Sequence, residues 1–123
     1  MHSTVTDLRP FLPSKDYEKS TKFYVDLGFK LNWSNSDVCE FQVGNFRFLL
    51  QKFYVKAWAE NFMMSLMVED ADVWWTAIQS SGVLEKYEGV SGQPPKVQPW
   101  DLRVLYLTDP SGVLWHISDV KTA

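Results

Sequence analysis

The chain has 123 residues, of which 46% are hydrophobic and 22% charged, a size and composition typical of one globular domain. Its formal charge of -3 and the lack of a run of Lys and Arg argue against a nucleic-acid partner. No apolar stretch approaches the roughly 20 residues that a membrane-spanning helix needs. Cys39 is the single cysteine, so there is no internal disulfide framework, and we expect a cytoplasmic protein with no membrane partner.

The first elements read as a strand and a helix. Residues 5–12 alternate partly and are predicted to form a strand, although Pro10 favours a sheet edge or a bulge. Ser14 offers a helix cap, Asp16 places an acid in the first turn, and an apolar face continues to Gly28. The pattern predicts a helix that ends at Gly28.

Three strands are predicted to follow this helix. They cover residues 29–33, 38–43 and 46–51, with polar or glycine-containing turns between them. Residues 52–60 have no clean period and are predicted to be a connector with, at most, a short helical turn.

The second half begins with the same order. Residues 61–68 are strand-like, and Asp70 opens a helix that ends at Gly82. Residues 83–90 are predicted to be a strand and the proline-rich residues 91–95 a loop beside the site. Two final strands, 102–107 and 113–118, flank a turn at 109–112 with Asp first, Pro second and Gly fourth.

The two halves can be superposed by a fixed offset. Asp16 to Gly28 and Asp70 to Gly82 are related by 54 residues, and apolar positions match through strand, helix and the start of the next strand. The last strands match only at an offset of 65, which sets Gln51 against His116. The sequence therefore predicts an α+β fold of two βαβββ modules with curved mixed sheets: one domain over residues 1–123, with module one at about 4–51, the connector at 52–60 and module two at about 61–118.

A sheet covered by a helix on one face only leaves the other face to find a partner. Two such modules form an open trough, and a second chain could cover it. We expect a homodimer with two clefts that draw residues from both subunits.

The pattern resembles the vicinal oxygen chelate superfamily, which contains glyoxalase I, extradiol dioxygenases, and the fosfomycin and bleomycin resistance proteins. The resemblance covers essentially the whole chain. It rests on the segment from Asp16 through Gly28 and Phe29, on Val68-Glu69-Asp70, and on Gln98-Pro99-Trp100 followed by Asp109-Pro110-Ser111-Gly112. It implies the glyoxalase/bleomycin resistance fold.

In the enzymes of this superfamily, four inward-pointing side chains hold a divalent metal. The resemblance assigns those positions to Arg9, Gln51, Met63 and His116. Only His116 is a good ligand for such an ion, because a guanidinium stays protonated and a thioether is soft. We therefore expect no cofactor, no metal and no catalytic residue.

Without a metal, the chain looks like the bleomycin resistance branch, which binds the drug stoichiometrically. The stretch from Trp100 through Arg103 to His116 is similar to the part of that branch where a Trp lines the drug groove. The expected function is binding and sequestration of an aromatic small molecule, with a bleomycin-type antibiotic as the first candidate. The alternatives are a lyase- or dioxygenase-like enzyme of the superfamily with an atypical or absent metal site, and a domain that binds a protein partner.

Eight side chains are predicted to contact the ligand: Arg9, Trp33, Leu49, Gln51, Met63, Trp100, Tyr106 and His116. Five of them also have a structural interpretation. Arg9 pairs with Asp7 or another acid, or awaits an anionic group of the ligand. Trp100 and Trp33 stack on a ligand or simply pack. Tyr106 and His116 line the cleft, or serve as a core side chain and a hydrogen-bonded structural histidine.

Overall fold

The computed structural model of the chain describes residues 3–120. Two four-stranded mixed sheets are present, in the orders β1-β4-β3-β2 and β5-β8-β7-β6. The elements of the first sheet, sheet A, are β1 Phe11–Pro13, α1 Tyr17–Leu27, β2 Lys30–Ser34, β3 Val38–Val43 and β4 Phe46–Gln51. After the connector helix α2 Lys56–Ala59, sheet B is built from β5 Met63–Met67, α3 Ala71–Ser81, α4 Val83–Lys86, β6 Ser91–Val97, β7 Arg103–Thr108 and β8 Leu114–Asp119.

This architecture confirms the predicted α+β fold. In both sheets the first strand pairs in parallel with the last, β1 with β4 and β5 with β8, while the other pairs are antiparallel. Within residues 3–120, no helix is long and apolar enough to cross a membrane.

The two long helices begin and end where the sequence predicts. The side chains of Asp16 and Asp70 accept backbone N–H groups of the first turns at 3.1 and 2.9 Å. Gly28 and Gly82 end the helices with φ of 104° and 78°, a backbone conformation that favours glycine. Ser14 does not cap α1, since its hydroxyl donates instead to the carbonyl of Gln51 at 2.7 Å.

The prediction of a strand over residues 83–90 is wrong. The short helix α4, Val83–Lys86, follows α3 directly, and the carbonyl of Gly82 accepts the N–H groups of Glu85 and Lys86. Leu, Glu and Lys are good helix formers, so local propensity agrees with the observed turn of helix. Val83 is still buried, as its place in the repeat predicts.

The prediction of a loop over residues 91–95 is also wrong, because these residues belong to β6. Strand β6 lies at the edge of sheet B and has β7 as its one neighbouring strand in the sheet. A proline is tolerated there, because the outer side of an edge strand needs no backbone N–H to bond a second strand. The pairing register with β7 shifts between Gln93 and Lys96, so Pro94 and Pro95 occupy an irregularity rather than a regular ladder.

The first strand is shorter than predicted. Of the predicted residues 5–12, only Phe11 and Leu12 pair as a strand, and the strand ends at Pro13. The carbonyl of Pro10 accepts the N–H of Leu49 at 2.8 Å, which marks the start of the pairing. Before it the chain is exposed, with Leu8 89% accessible.

One aromatic core joins the two sheets. Tyr24 of α1 contacts Phe41 and Phe48 of sheet A and Trp115 of sheet B, with ring centroids 5.3 to 5.9 Å apart. Each sheet thus presents one face to a shared interior. The opposite faces point away from that interior, and we call them open face A and open face B.

Helix α3 contributes both of its tryptophans to this interior. Trp74 and Trp75 are partly buried and pack on the core, Trp74 against Phe29 at 6.3 Å. A Cβ on Gly92 of β6 would lie only 2.9 Å from the ring of Trp75, so the close approach of α3 to β6 requires glycine there.

The strand pairing corrects one detail of the repeat. Leu12 and Leu66, 54 residues apart, pair with Leu50 and Ile117, which are 67 residues apart. The last strands therefore correspond at an offset of 67 rather than 65. His116 is the structural counterpart of Leu49, not of Gln51.

Candidate functional site

Open face A carries a row of side chains across all four strands of sheet A. Phe11 pairs with Leu49, Leu49 with Glu40, and Glu40 with Trp33, so all four project to the same side. Phe11 and Trp33 at the two ends are 53% and 42% exposed, while Leu49 between them is buried. The row offers two accessible aromatic surfaces with an aliphatic and an acidic group between them.

Glu40 is the polar centre of this face. It is only 5% exposed, and its carboxylate accepts hydrogen bonds from Arg9 at 2.7 Å and from Asn32 at 2.9 Å. The amide of Asn32 and then the guanidinium of Arg9 hold the pKa of Glu40 below its usual value. Glu40 is therefore ionised and fully engaged within the chain.

Arg9 is confirmed to pair internally, with Glu40 at 2.7 Å and with Asp7 at 3.3 Å. Asp7 also binds Arg47 at 3.0 Å. The second interpretation, in which Arg9 awaits an anionic group of the ligand, does not fit a guanidinium that already has two carboxylate partners. Gln51 follows Arg47 and Leu49 on the same face and is partly buried.

Open face B carries a corresponding row of polar and aromatic groups. Gln93 pairs with Tyr106, Tyr106 with His116, and His116 with Ser65. The rings of Tyr106 and His116 meet edge to face with centroids 4.9 Å apart. The Nε2 atom of His116 is buried and has no hydrogen-bond partner among the described residues.

Met63 lies on open face B but outside this row. Its partner in β8 is Leu114, two residues before His116. The thioether side chain is 62% exposed, and Met67 on the same face is 53% exposed. These two soft, flexible side chains border the row of polar groups.

Trp100 stands at the end of the sheet in the connection between β6 and β7. The N–H of Gln98 donates to the carbonyl of Leu102 at 2.8 Å, and the N–H of Asp101 donates to the carbonyl of Gln98 at 3.0 Å. Trp100 is 54% exposed. Simple packing in the core therefore does not account for this indole.

The four positions that the resemblance assigns to a metal are not assembled within one chain. Arg9, which pairs with Glu40, and Gln51 belong to open face A, and Met63 and His116 belong to open face B. Arg9 is held by carboxylates, and only His116 has the donor chemistry that a divalent ion prefers. These residues do not fit a metal. Within residues 3–120, no three His, Cys, Asp or Glu side chains are grouped to hold one.

Sequence reasoning missed two features of the site. Glu40 was not singled out, although its alternation with Cys39 and Phe41 in β3 could have placed it on the open face. An apolar cleft of about 550 Å³ between β4 and β5 was also missed; its walls include Phe46, Phe48, Met64, Leu66 and Trp115. No local pattern reveals such a cleft, because its walls come from distant segments.

Three solved structures show the same fold. A bleomycin-binding protein in complex with bleomycin is 23% identical, with a TM-score of 0.80, and the match covers 95% of this chain and 100% of the other. A bleomycin resistance determinant encoded on the transposon Tn5 is 23% identical, with a TM-score of 0.79, and the match covers 95% of this chain and 100% of the other. A bleomycin-binding protein from Streptomyces verticillus, in complex with copper(II)-bleomycin, is 23% identical, with a TM-score of 0.76, and the match covers 93% of this chain and 97% of the other.

At this level of identity the likeness extends to the fold alone. No curated protein sequence is similar enough to count as a match. A family model does match, over residues 5–117, which is nearly the whole chain. The chain therefore belongs to the Glyoxalase/Bleomycin resistance protein/Dioxygenase superfamily.

Proposed function

We propose that this protein binds and sequesters an aromatic, planar small molecule in the cytoplasm, without a metal, and that a bleomycin-type antibiotic is the first candidate. The observation that carries the proposal is the exposure of large flat and soft side chains on the open faces and at the end of sheet B. Five of them are more than 40% accessible: Phe11, Trp33, Met63, Met67 and Trp100. Similar folds that bind bleomycin support the choice of ligand.

The core leaves these side chains free for a ligand. Aromatic residues that only stabilise the fold are buried here, as Tyr24, Phe41 and Trp115 are. The exposed ones share their faces with polar groups, Glu40 and Gln51 on one side and Tyr106 and His116 on the other. Flat surfaces stack on rings, and polar groups fix the orientation of a ligand.

The complete site is proposed to form between two copies of the chain. Open faces A and B point away from one shared core, so one chain cannot enclose a ligand between them. A twofold axis would set open face A of one copy against open face B of the other and create two equal clefts. Sedimentation should give about twice the mass of the chain, and a monomer at micromolar concentration would contradict this arrangement.

Trp100 provides the direct test of the site. Titration with bleomycin should quench the tryptophan fluorescence, and the quenching should saturate at micromolar drug. Trp100→Ala should weaken binding by roughly 1 kcal/mol or more. The matched control is Trp58→Ala, which removes another exposed indole, 67% accessible against 54% for Trp100, from the connector helix and should leave the affinity unchanged. Equal effects of the two substitutions would show that the site is misplaced.

One observation favours an enzyme as the alternative. The Nε2 atom of His116 is buried without a partner among residues 3–120, and a histidine nitrogen in that state can bind a metal ion or form a hydrogen bond with a substrate. A thermal-shift titration with zinc, nickel and manganese distinguishes the two functions. A saturable rise in Tm that is lost in His116→Ala would favour the enzyme, whereas no rise supports the metal-free binder.

A further inference from the structure

The turn that carries Trp100 is a three-residue hairpin loop, made of Pro99, Trp100 and Asp101. Gln98 and Leu102 close it through the hydrogen bond of 2.8 Å between N–H and carbonyl. Pro99 fixes its own φ, and the second hydrogen bond closes the turn from Gln98 to Asp101. The indole of Trp100 is therefore presented to solvent on a backbone with little freedom.

Asp101 occupies the position of this loop that normally takes glycine. Three-residue hairpin loops place a left-handed residue after a type I turn, and Asp101 has a φ of 67°. Among residues 3–120 it is the one non-glycine residue with a positive φ. Glycine adopts this conformation most readily and aspartate is one of the few other residues that tolerate it, so the backbone alone does not require a carboxylate here.

The side chain of Asp101 has no structural task within the described chain. It is exposed, and its carboxylate takes part in no hydrogen bond or ion pair among residues 3–120. An exposed acid therefore lies next to an exposed indole at the tip of one turn. An exposed carboxylate that does not stabilise the fold and adjoins an exposed indole is a candidate for contact with a ligand.

The nearby basic groups do not neutralise Asp101. Arg103, two residues along the chain, is only 9% exposed and binds three other carboxylates: Asp70, Asp72 and Asp119. Lys96 is the remaining base on this part of β6, and it is exposed and paired with Val104 in the sheet. Asp101 thus has no cationic partner among residues 3–120.

We propose that Asp101 is a specificity-determining residue of the Trp100 site and selects planar aromatic ligands that carry a positive charge at the edge of the ring. The inference rests on the proposed function, because it takes Trp100 as a stacking surface. Stacking places the ring over the indole, and the adjacent carboxylate attracts a cationic edge. At about 4 Å in water-like surroundings, this attraction corresponds to roughly a fivefold gain in affinity.

The test compares two probes of the same shape, N-methylacridinium, which is permanently cationic, and acridine, which is neutral at about pH 8. Their dissociation constants are measured by fluorescence for the unchanged protein and for Asp101→Gly, Asp101→Asn and Trp100→Ala. Asp101→Gly keeps the left-handed backbone and Asp101→Asn keeps the side-chain shape. Both should weaken the cation by about three- to fivefold and leave acridine unchanged.

The possible outcomes separate this inference from the proposed function. If Trp100→Ala weakens both probes while the Asp101 variants weaken neither, the aromatic site stands and the role of Asp101 is wrong. The same holds if the Asp101 variants weaken both probes equally, since the effect would then come from the turn and not from the charge. If Trp100→Ala changes neither probe, the proposed site itself fails. A preference for the cation that disappears at high salt supports the electrostatic origin.

Discussion

The hydroxyl of Tyr24 donates a hydrogen bond of 2.6 Å to the carboxylate of Asp109, 85 residues further along the chain. The same hydroxyl accepts the indole N–H of Trp115 at 2.9 Å. Asp109 also accepts the backbone N–H groups of Ser111 and Val113, so it holds the β7–β8 turn as well as helix α1. Burial raises the pKa of Tyr24 well above its ordinary value, and the phenol therefore remains a donor. One buried network thus joins the two modules.

Removal of the Tyr24 hydroxyl should destabilise the whole fold. Tyr24→Phe deprives a buried carboxylate and a buried indole of their partner, which should lower the free energy of unfolding by about 1–3 kcal/mol. Urea unfolding followed by circular dichroism measures the loss. Tyr17→Phe is the control on the same helix, because its hydroxyl bonds an exposed carbonyl at 3.0 Å and should matter less than about 1 kcal/mol. Equal losses would contradict a special role for the network.

Glu40→Gln should destabilise the protein in a pH-dependent way. The pKa of Glu40 is lowered from 4.5 by Asn32 and Arg9, so the folded state favours the ionised form. The stabilisation is present above pH 4.5 and is lost as the pH falls below that value through the folded pKa. Unfolding free energies should differ between the two proteins by roughly 1 kcal/mol near neutral pH and converge in acid. A difference independent of pH would show that the charge of Glu40 is not involved.

Gly92→Ala should be costly although it adds only a methyl group. The new Cβ would lie 2.9 Å from the ring of Trp75 and 3.0 Å from Leu84, so α3 and α4 would have to move from the sheet. We expect a loss of about 1–3 kcal/mol in urea unfolding. Ser91→Ala, next to it and exposed, should change stability by less than about 0.5 kcal/mol. An unchanged free energy of unfolding in Gly92→Ala would contradict the prediction and show that Trp75 moves aside without destabilising the fold.

Arg103→Met should destabilise the start of helix α3. Its guanidinium binds the carboxylate of Asp119, which is 1% exposed and also accepts the N–H of Ala71. A buried carboxylate that loses its cation costs about 3–5 kcal/mol. Arg47→Met is the control, because its partner Asp7 is far more exposed and should contribute less than about 1 kcal/mol. Melting temperatures that fall equally in both variants would contradict this difference.

Much of the fold could be predicted because its signals are local. Asp16 with Gly28 and Asp70 with Gly82 mark helix ends through cap chemistry that needs no tertiary context. The predictions for residues 83–95 were wrong. Local helix propensity agrees with the structure of residues 83–86, whereas tertiary position decides that of residues 91–95. In the sequence alone, Pro94 predicts a loop. A strand is possible at this position only because β6 lies at the edge of its sheet.

The site was predicted less completely because its geometry depends on pairing. Parity within a strand placed His116 and Leu114 on one face correctly. It could not supply the register between strands, so His116 was matched with Gln51 rather than with Leu49. The positive φ of Asp101 and the engagement of Arg9 by Glu40 also have no signal in the sequence, since each depends on where the chain folds back.

The prolines of β6 have a consequence for how this chain can associate. Pro94 and Pro95 lack a backbone N–H, so the outer edge of β6 offers a broken ladder to any incoming strand. At the other end of sheet B, β5 is paired with β8 alone among the described residues, and it contains no proline. The prolines thus hinder strand pairing along the edge of β6, whereas the edge of β5 has no such obstacle. A strand added to sheet B is therefore expected to pair along β5 rather than along β6.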